Sequence, residues 1–230
     1  MYLSRVRVDL NGLSRGDLFD IMDGRAYAAH QLLWRLFPGH QGARPFLFRQ
    51  EMEEISDDRA PKGLPLFYVL SDREPRPVDG LLEAQCKPFS PVLEAGERLA
   101  FRLRANPTVA KPVAGQRGRR ADVLMAAKYP FESGGDRKSQ ACADAMDAAA
   151  RGWLEERAGA WGFRLPVAPE VGAYRQHALS KEKGRPIRFS SVDYEGLLEV
   201  TEPGRLIETL AQGVGRAKAF GCGLLLLRRP

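Results

Sequence analysis

Apolar and charged side chains alternate at the start of the chain. Val6, Val8 and Leu10 each follow a charged residue. Because successive side chains of a β-strand point to opposite faces of the sheet, this alternation predicts a half-buried first strand. Between Asp23 and Pro38 the apolar residues recur at helical spacing instead, which predicts a helix that Asp23 caps and Pro38 ends.

Three further apolar segments of strand length follow this helix. They span residues 46–48, 64–70 and 99–103, and an acidic loop separates the first two. The order strand, helix, strand, strand, connection, strand over residues 1–107 is compatible with a ferredoxin-like βαββαβ unit. The second helix of that unit is expected at residues 88–96, where only a short helix fits.

Residues 108–230 predict a second unit of the same kind. After a basic stretch at residues 111–120, alanines at helical spacing and Trp153 predict a long helix that ends near residues 159–162. The fold class is therefore predicted as α+β, with two tandem ferredoxin-like domains at residues 1–107 and 108–230. The remaining elements predicted for the second domain are strands at 174–177, 187–192, 197–200 and 224–227 and a helix at 203–212.

The chain is basic, with a formal net charge of +6 over 230 residues. Residues 98–120 hold seven basic residues and no acidic one, and residues 175–188 hold five basic residues and one acidic one. Positive charge concentrated in this way is typical of a protein with a polyanionic partner such as RNA.

Cysteine and histidine usage argues against disulfides and metal sites. The three cysteines lie far apart without C-x-x-C spacing, and the three histidines lack metal-ligand spacing, so neither a metal nor another cofactor is expected. No apolar run approaches membrane-spanning length, and the first residues do not form a signal core. These features predict a cytoplasmic protein without a membrane partner.

Two side chains suited to proton transfer lie three residues apart on the first predicted helix. Tyr27 and His30 fall on neighbouring turns at the edge of the core stripe. A histidine exchanges protons near neutral pH, whereas a tyrosine stays protonated and donates a hydrogen bond to developing charge. Beside an RNA groove the pair supports transesterification by the RNA's own 2′-hydroxyl. Without such a groove it is a partly buried pair at the rim of a core.

A glycine-rich segment and two basic stretches are candidates for RNA contacts. Glycine lets one backbone approach another closely, but Lys218 stands where a dinucleotide fingerprint needs its third glycine. The alternatives are a glycine-rich turn before the last strand and ordinary solvated loops. The candidate RNA-binding residues are Gly213, Gly215, Lys218, Gly221, Gly223, Lys181, Lys183, Arg185, Arg117, Arg119 and Arg120.

Several segments together carry a family likeness. They include Met1-Tyr2-Leu3-Ser4-Arg5-Val6, Tyr27-Ala28-Ala29-His30-Gln31-Leu32-Leu33-Trp34, Lys87-Pro88-Phe89-Ser90-Pro91, residues 101–107, residues 187–192 and residues 213–227. In this order, over essentially the whole chain, they resemble the CasE family of type I-E CRISPR systems.

The resemblance implies an endoribonuclease that cleaves CRISPR repeat RNA at the base of its stem-loop without a metal. The products would carry a 2′,3′-cyclic phosphate or 3′-phosphate and a 5′-hydroxyl, and the protein would stay bound to the mature guide as a Cascade subunit. It implies that His30 is the catalytic histidine and Tyr27 its companion, with either one as the base. It also implies stem contacts for Lys181, Lys183 and Arg185.

Two points stay open at the level of sequence. Some relatives use a basic residue five positions beyond the histidine, here Arg35, which helical geometry places about 140° around the helix from His30. The main competing function is a non-catalytic subunit that binds an RNA hairpin. A small-molecule hydrolase on the same fold is the third possibility, and it lacks a nucleophile constellation in this sequence.

Overall fold

The structure, a computed structural model, describes residues 1–9, 12–14, 16, 21, 26–52, 65–113, 116–131, 136–179 and 186–230. The chain divides into two compact units. The first unit consists of Met1–Pro91 and Ala217–Leu224, and the second of Val92–Arg216 and Leu225–Pro230. Within the described residues, no helix is long and apolar enough to cross a membrane.

The first unit is built on a four-stranded antiparallel sheet. Its elements are β1 (Tyr2–Val8), α1 (Ala26–Trp34), β2 (Phe46–Met52), β3 (Pro65–Ser71) and β4 (Leu82–Pro88). The strand order β2-β3-β1-β4 places the first and third strands in the centre, as in a ferredoxin-like sheet.

The core of the first unit lies between α1 and one face of this sheet. Val6 and Val8 of β1, Leu33 of α1, Phe48 of β2 and Phe67 of β3 are all buried in one apolar cluster. Removing each such side chain from water stabilises the fold by about 1.5–3 kcal/mol. The alternation in β1 and the helical spacing in α1 therefore predicted the correct inward faces, although Asp23, the expected cap, lies outside the described residues.

The second unit repeats this arrangement with an inserted hairpin. Strand order β10-β11-β5-β12 again places the first and third strands of a βαββαβ unit in the centre, and the fold is α+β with two ferredoxin-like domains, as predicted. Its elements are β5 (Arg98–Ala105), β6 (Thr108–Val113), β7 (Gln116–Asp122), α2 (Val123–Lys128), α3 (Gln140–Ala158), β8 (Phe163–Arg164), β9 (Glu170–Val171), β10 (Arg175–Leu179), β11 (Ile187–Val200), α4 (Pro203–Gln212) and β12 (Leu225–Arg228).

Three predictions about individual elements are wrong. The strand predicted at residues 99–103 does not complete the first sheet, because β5 pairs with β11 and β12. Residues 88–96 form no helix. Residues 197–200 are the end of the 14-residue β11 and not a separate strand.

The last strand of the first sheet is β4, which the apolar pattern did not predict. It lies at the edge of the sheet next to β1, and most of its side chains are at least partly exposed. An edge strand covered on one face does not need an apolar sequence. Along the chain, the first segment of the first unit ends at Pro91 and the second unit begins at Val92. The sequence pattern placed this boundary after residue 107.

Candidate active site

Helix α1 brings Tyr27 and His30 to the rim of the first unit. Residues three apart on a helix lie on neighbouring turns of one face, and the two ring centroids are 6.2 Å apart. Tyr27 is 52 % exposed, whereas His30 is half-buried. The pair thus combines an accessible phenol with an imidazole held partly out of water.

Trp34 fixes the orientation of His30 from one turn further along the helix. Its indole Nε1 donates a hydrogen bond to Nε2 of His30, at 3.1 Å. A neutral imidazole has one donor and one acceptor nitrogen, so this bond places the proton of the neutral ring on Nδ1. In this geometry Nδ1–H can donate a hydrogen bond to a substrate, whereas Nε2 can take up a proton only after it leaves the Trp34 indole.

The ring of Phe46 brings Arg44 close to this histidine. The Phe46 centroid lies 5.8 Å from that of His30 and 5.7 Å from Cζ of Arg44. Nε of Arg44 is buried and has no hydrogen-bond partner among the described residues. A buried guanidinium nitrogen without an acceptor is costly in the free protein, so the group is suited to meeting an anion.

Burial and one nearby positive charge disfavour the protonation of His30. Burial and the nearby Arg44 together lower the pKa of His30 below its usual 6.5. Burial also lowers the pKa of Lys218, and the charge of Arg44 adds to that effect. His30, Arg44 and Lys218 form what we call the basic cluster, in which the charge of Arg44 acts on both other groups and positive charge favours a bound anion.

Lys218 belongs to the first unit, in a short turn of the glycine-rich segment. A 3₁₀ turn at Lys218–Phe220 packs against α1 and β2. Gly221 ends that turn at φ +78°, and a Cβ there would lie 3.3 Å from the Phe48 ring. Only glycine combines this backbone conformation with so close an approach.

The other predicted glycines also adopt positive φ, at Gly213, Gly215 and Gly223. Their conformations explain why glycine stands there without any ligand, as the alternative of a glycine-rich turn supposed. Contact between this segment and RNA stays a prediction.

The predicted basic residues are described only in part. Lys181, Lys183 and Arg185 lie outside the described residues. Arg117 and Arg119 belong to β7, as does Arg120, whose side chain is exposed.

Arg35 lies just beyond the end of α1 and lines a cavity of about 360 Å³ together with Gln31 and Leu32. Tyr27 and His30 do not line that cavity, as expected from the angle between Arg35 and His30 on the helix. The geometry gives Arg35 no place in the basic cluster.

Arg44 and Trp34 are site residues that the sequence reasoning did not select. The four-residue spacing from His30 to Trp34 was a usable signal, because such pairs meet on a helix. Arg44 carried none, since its proximity to His30 depends on how β2 packs against α1. No group of three or more histidine, cysteine or acidic side chains placed to hold a metal occurs in the described part of the chain.

Comparison with known proteins gives one matching family and two similar proteins. A family described as CRISPR associated protein matches residues 1–229. CRISPR-associated endoribonuclease Cse3 of Thermus thermophilus is 32% identical over 207 residues, covering 85% of this chain and 78% of that protein. CRISPR system Cascade subunit CasE of Escherichia coli is 30% identical over 204 residues, covering 87% and 90%.

A solved structure supports the same relationship. Thermus thermophilus Cse3 bound to an RNA representing a pre-cleavage complex superimposes with a TM-score of 0.69 at 30% identity, covering 99% of this chain and 100% of that one. The likeness extends over both units.

Proposed function

This chain belongs to the CRISPR-associated protein family whose pattern spans residues 1–229, and from this we propose that it is an endoribonuclease that processes CRISPR repeat RNA. It cleaves the repeat at the base of its stem-loop and remains bound to the mature guide RNA as a subunit of Cascade. This work takes place in the cytoplasm, where guide RNA is made and used.

The observation that carries the proposal is the setting of His30. The imidazole is half-buried, oriented by Trp34 and close to the charge of Arg44, and the accessible phenol of Tyr27 lies beside it. A structural histidine at a helix rim does not require a half-buried arginine beside it whose charge disfavours its protonation. A phosphodiester seated there would neutralise the repulsion.

The reaction uses the 2′-hydroxyl of the nucleotide before the cut as its nucleophile. Its oxygen attacks the adjacent phosphorus as its proton leaves, and the bond from phosphorus to the 5′-oxygen of the next nucleotide breaks. The departing oxygen takes up a proton. The products are a 2′,3′-cyclic phosphate and a 5′-hydroxyl, and His30 and Tyr27 move the two protons.

Arg44 and Lys218 are assigned to the phosphate. Negative charge accumulates on the non-bridging oxygens during attack, and cations already held in place stabilise that charge without reorganising. The free Nε of Arg44 is a suitable donor for one of these oxygens.

The proposal is tested by incubating the protein with the host's repeat RNA in excess EDTA. Cleavage at one bond, with a cyclic phosphate on the upstream fragment, supports the assignment. Tight binding without any cleavage would favour the non-catalytic subunit, and a strict requirement for magnesium or manganese would rule out the mechanism above.

Replacing Arg44 with glutamine is expected to raise the pKa of His30. Removing a positive charge makes protonation easier, so the limb of the pH–rate profile that reports His30 should move to higher pH. The direction is the same whether His30 acts as base or acid. The pKa is measured by NMR titration of the imidazole, and the profile by single-turnover cleavage.

Arg73→Gln is the matched control for that experiment. Arg73 is half exposed and pairs with Asp72, and its charge is not among the causes that shift the pKa of His30. It should leave both the imidazole titration and the pH–rate profile in place. An unchanged or lowered pKa in Arg44→Gln would contradict the electrostatic role of Arg44.

Neutralising Lys181, Lys183 and Arg185 together is expected to weaken hairpin binding and its dependence on salt. Each phosphate contact releases condensed counterions, so losing up to three contacts should reduce the slope of log K against log salt by about 2–3. Binding is measured by filter retention at several salt concentrations between about 50 and 200 mM, and the slope is taken from these affinities. An unchanged slope would show that these residues do not touch RNA.

A further inference from the structure

The second unit contains a cavity that the proposed cleavage reaction does not use. Its volume is about 720 Å³, and it is lined by residues of β6, β7, β10 and β11 and by Asn106 and Arg216. All of its lining residues belong to the second unit. We call it the β10–β11 cavity. Its lining residues include Asn106, Arg120, His177, Arg188, Phe189 and Arg216.

A stacked pair of aromatic rings forms part of its wall. His177 of β10 and Phe189 of β11 are direct partners across the two strands, and their rings lie nearly parallel, at 12° with centroids 4.4 Å apart. Ser191 Oγ lies 2.8 Å from Nε2 of His177 and holds the imidazole in this plane. Both rings are half-buried, and a face-to-face pair can receive a further planar group only on an outer face of the stack.

A buried amide without a partner also lines the cavity. Asn106 is only 7 % exposed, and its Oδ1 has no hydrogen-bond partner among the described residues. Leaving a buried carbonyl oxygen unsatisfied costs about 1–3 kcal/mol. An asparagine amide carries both donors and an acceptor, which is what the edge of a nucleobase requires.

The charge at the mouth of the cavity is positive. Arg120, Arg188 and Arg216 are exposed there. The one acidic residue among the lining, Asp122, is already occupied, because its carboxylate accepts bonds from the backbone N–H of Leu124 and Met125 at the start of α2 and from two side-chain hydroxyls. It is therefore not available to a ligand as a free anion.

We propose that the β10–β11 cavity binds one unstacked nucleotide of the RNA. Its base extends the stack formed by the His177 and Phe189 rings, the Asn106 amide forms hydrogen bonds with the base edge, and the arginines hold the adjoining phosphate. Single-stranded RNA is recognised by this combination of an aromatic platform, an amide and cations. The proposal rests on the proposed function for its RNA ligand, and it adds a sequence-reading site outside the basic cluster.

The test uses the full-length protein and repeat-hairpin RNAs with single-stranded flanks, in which one base at a time is replaced by an abasic site. One such substitution should weaken binding to the wild type by about tenfold, the scale of one lost base stack. His177→Ala should lose about the same factor on the intact RNA and lose nothing more from that abasic site. Tyr129→Ala, which removes an exposed ring outside the cavity, is the matched control and should respond as the wild type does.

Asn106→Leu separates a ligand contact from a structural role. Because the amide oxygen has no partner in the free protein, leucine should keep or raise the melting temperature while RNA affinity falls. A lower melting temperature with unchanged affinity would mean that Asn106 only supports the fold. Equal affinity of wild type and His177→Ala for every RNA would overturn the proposal.

A separate arm keeps this proposal distinct from the cleavage reaction. The four ribonucleoside 5′-monophosphates are titrated against wild type and His177→Ala, and the imidazole signals of His177 are followed by NMR. Shifts of these signals in the wild type support the cavity even if the hairpin is not cut. Cleavage with neither these shifts nor an abasic effect would leave the enzyme assignment standing and remove the cavity.

Discussion

Replacing His30 with alanine is expected to lower the rate of RNA cleavage by about 10²- to 10⁴-fold, the usual effect of losing a positioned acid or base. Hairpin affinity should change little, because it is distributed over basic surfaces that this substitution leaves intact. Alanine favours the helix, and the lost hydrogen bond from Trp34 should cost only about 1 kcal/mol of folding free energy. Single-turnover cleavage, equilibrium binding and melting temperature are measured on one preparation.

His40→Ala is the matched control for His30→Ala. His40 belongs to the same unit and also contacts the Trp34 ring, with centroids 5.8 Å apart, but it lies beyond the end of α1. Its loss should leave cleavage near the wild-type rate. Normal cleavage by a folded His30→Ala protein would end the catalytic assignment, and a joint fall in stability, binding and cleavage would make His30 a structural residue.

Removing the nucleophile from the RNA is expected to abolish cleavage altogether. A 2′-deoxy nucleotide immediately before the scissile phosphate lacks the hydroxyl that attacks, and no side chain in the proposed mechanism replaces it. The substrate keeps its phosphates and bases, so affinity should remain close to that of the all-ribose RNA. Cleavage and binding are compared for the two RNAs under the same salt concentration.

An RNA with the deoxy nucleotide one position further upstream is the control, and it should be cut normally. If the first deoxy RNA were cut at the same bond, the attacking group would be water and not the 2′-hydroxyl. That result would leave a ribonuclease with a different role for His30. The deoxy RNA therefore tests the identity of the nucleophile separately from the His30 substitution.

Much of the fold was predictable because it depends on side chains close together in the chain. The alternation around Val6 and Val8 predicted β1, and the spacing of Ala29, Leu33 and Phe37 predicted α1 with its buried face. Helical spacing likewise placed Tyr27 and His30 on one face. Periodicity of two or of about 3.6 residues specifies which way neighbouring side chains point, so it needs no knowledge of distant partners.

Membership of a sheet was less predictable than the presence of a strand. β5 has the apolar alternation of a buried strand, but that pattern does not specify whether it pairs with β1 or β11. β4 escaped prediction for the complementary reason, because an edge strand tolerates polar residues. Both outcomes depend on pairing between segments far apart in sequence.

The sequence by itself determined the two-unit α+β plan, the helix that carries Tyr27 and His30, and the excess of positive charge. Tertiary structure decided that Arg44 influences both His30 and Lys218, and that Asn106, His177 and Phe189 share one cavity. The reason is physical. Local backbone geometry fixes the direction of a side chain, whereas proximity, burial and proton affinity arise only when distant segments pack together and exclude water.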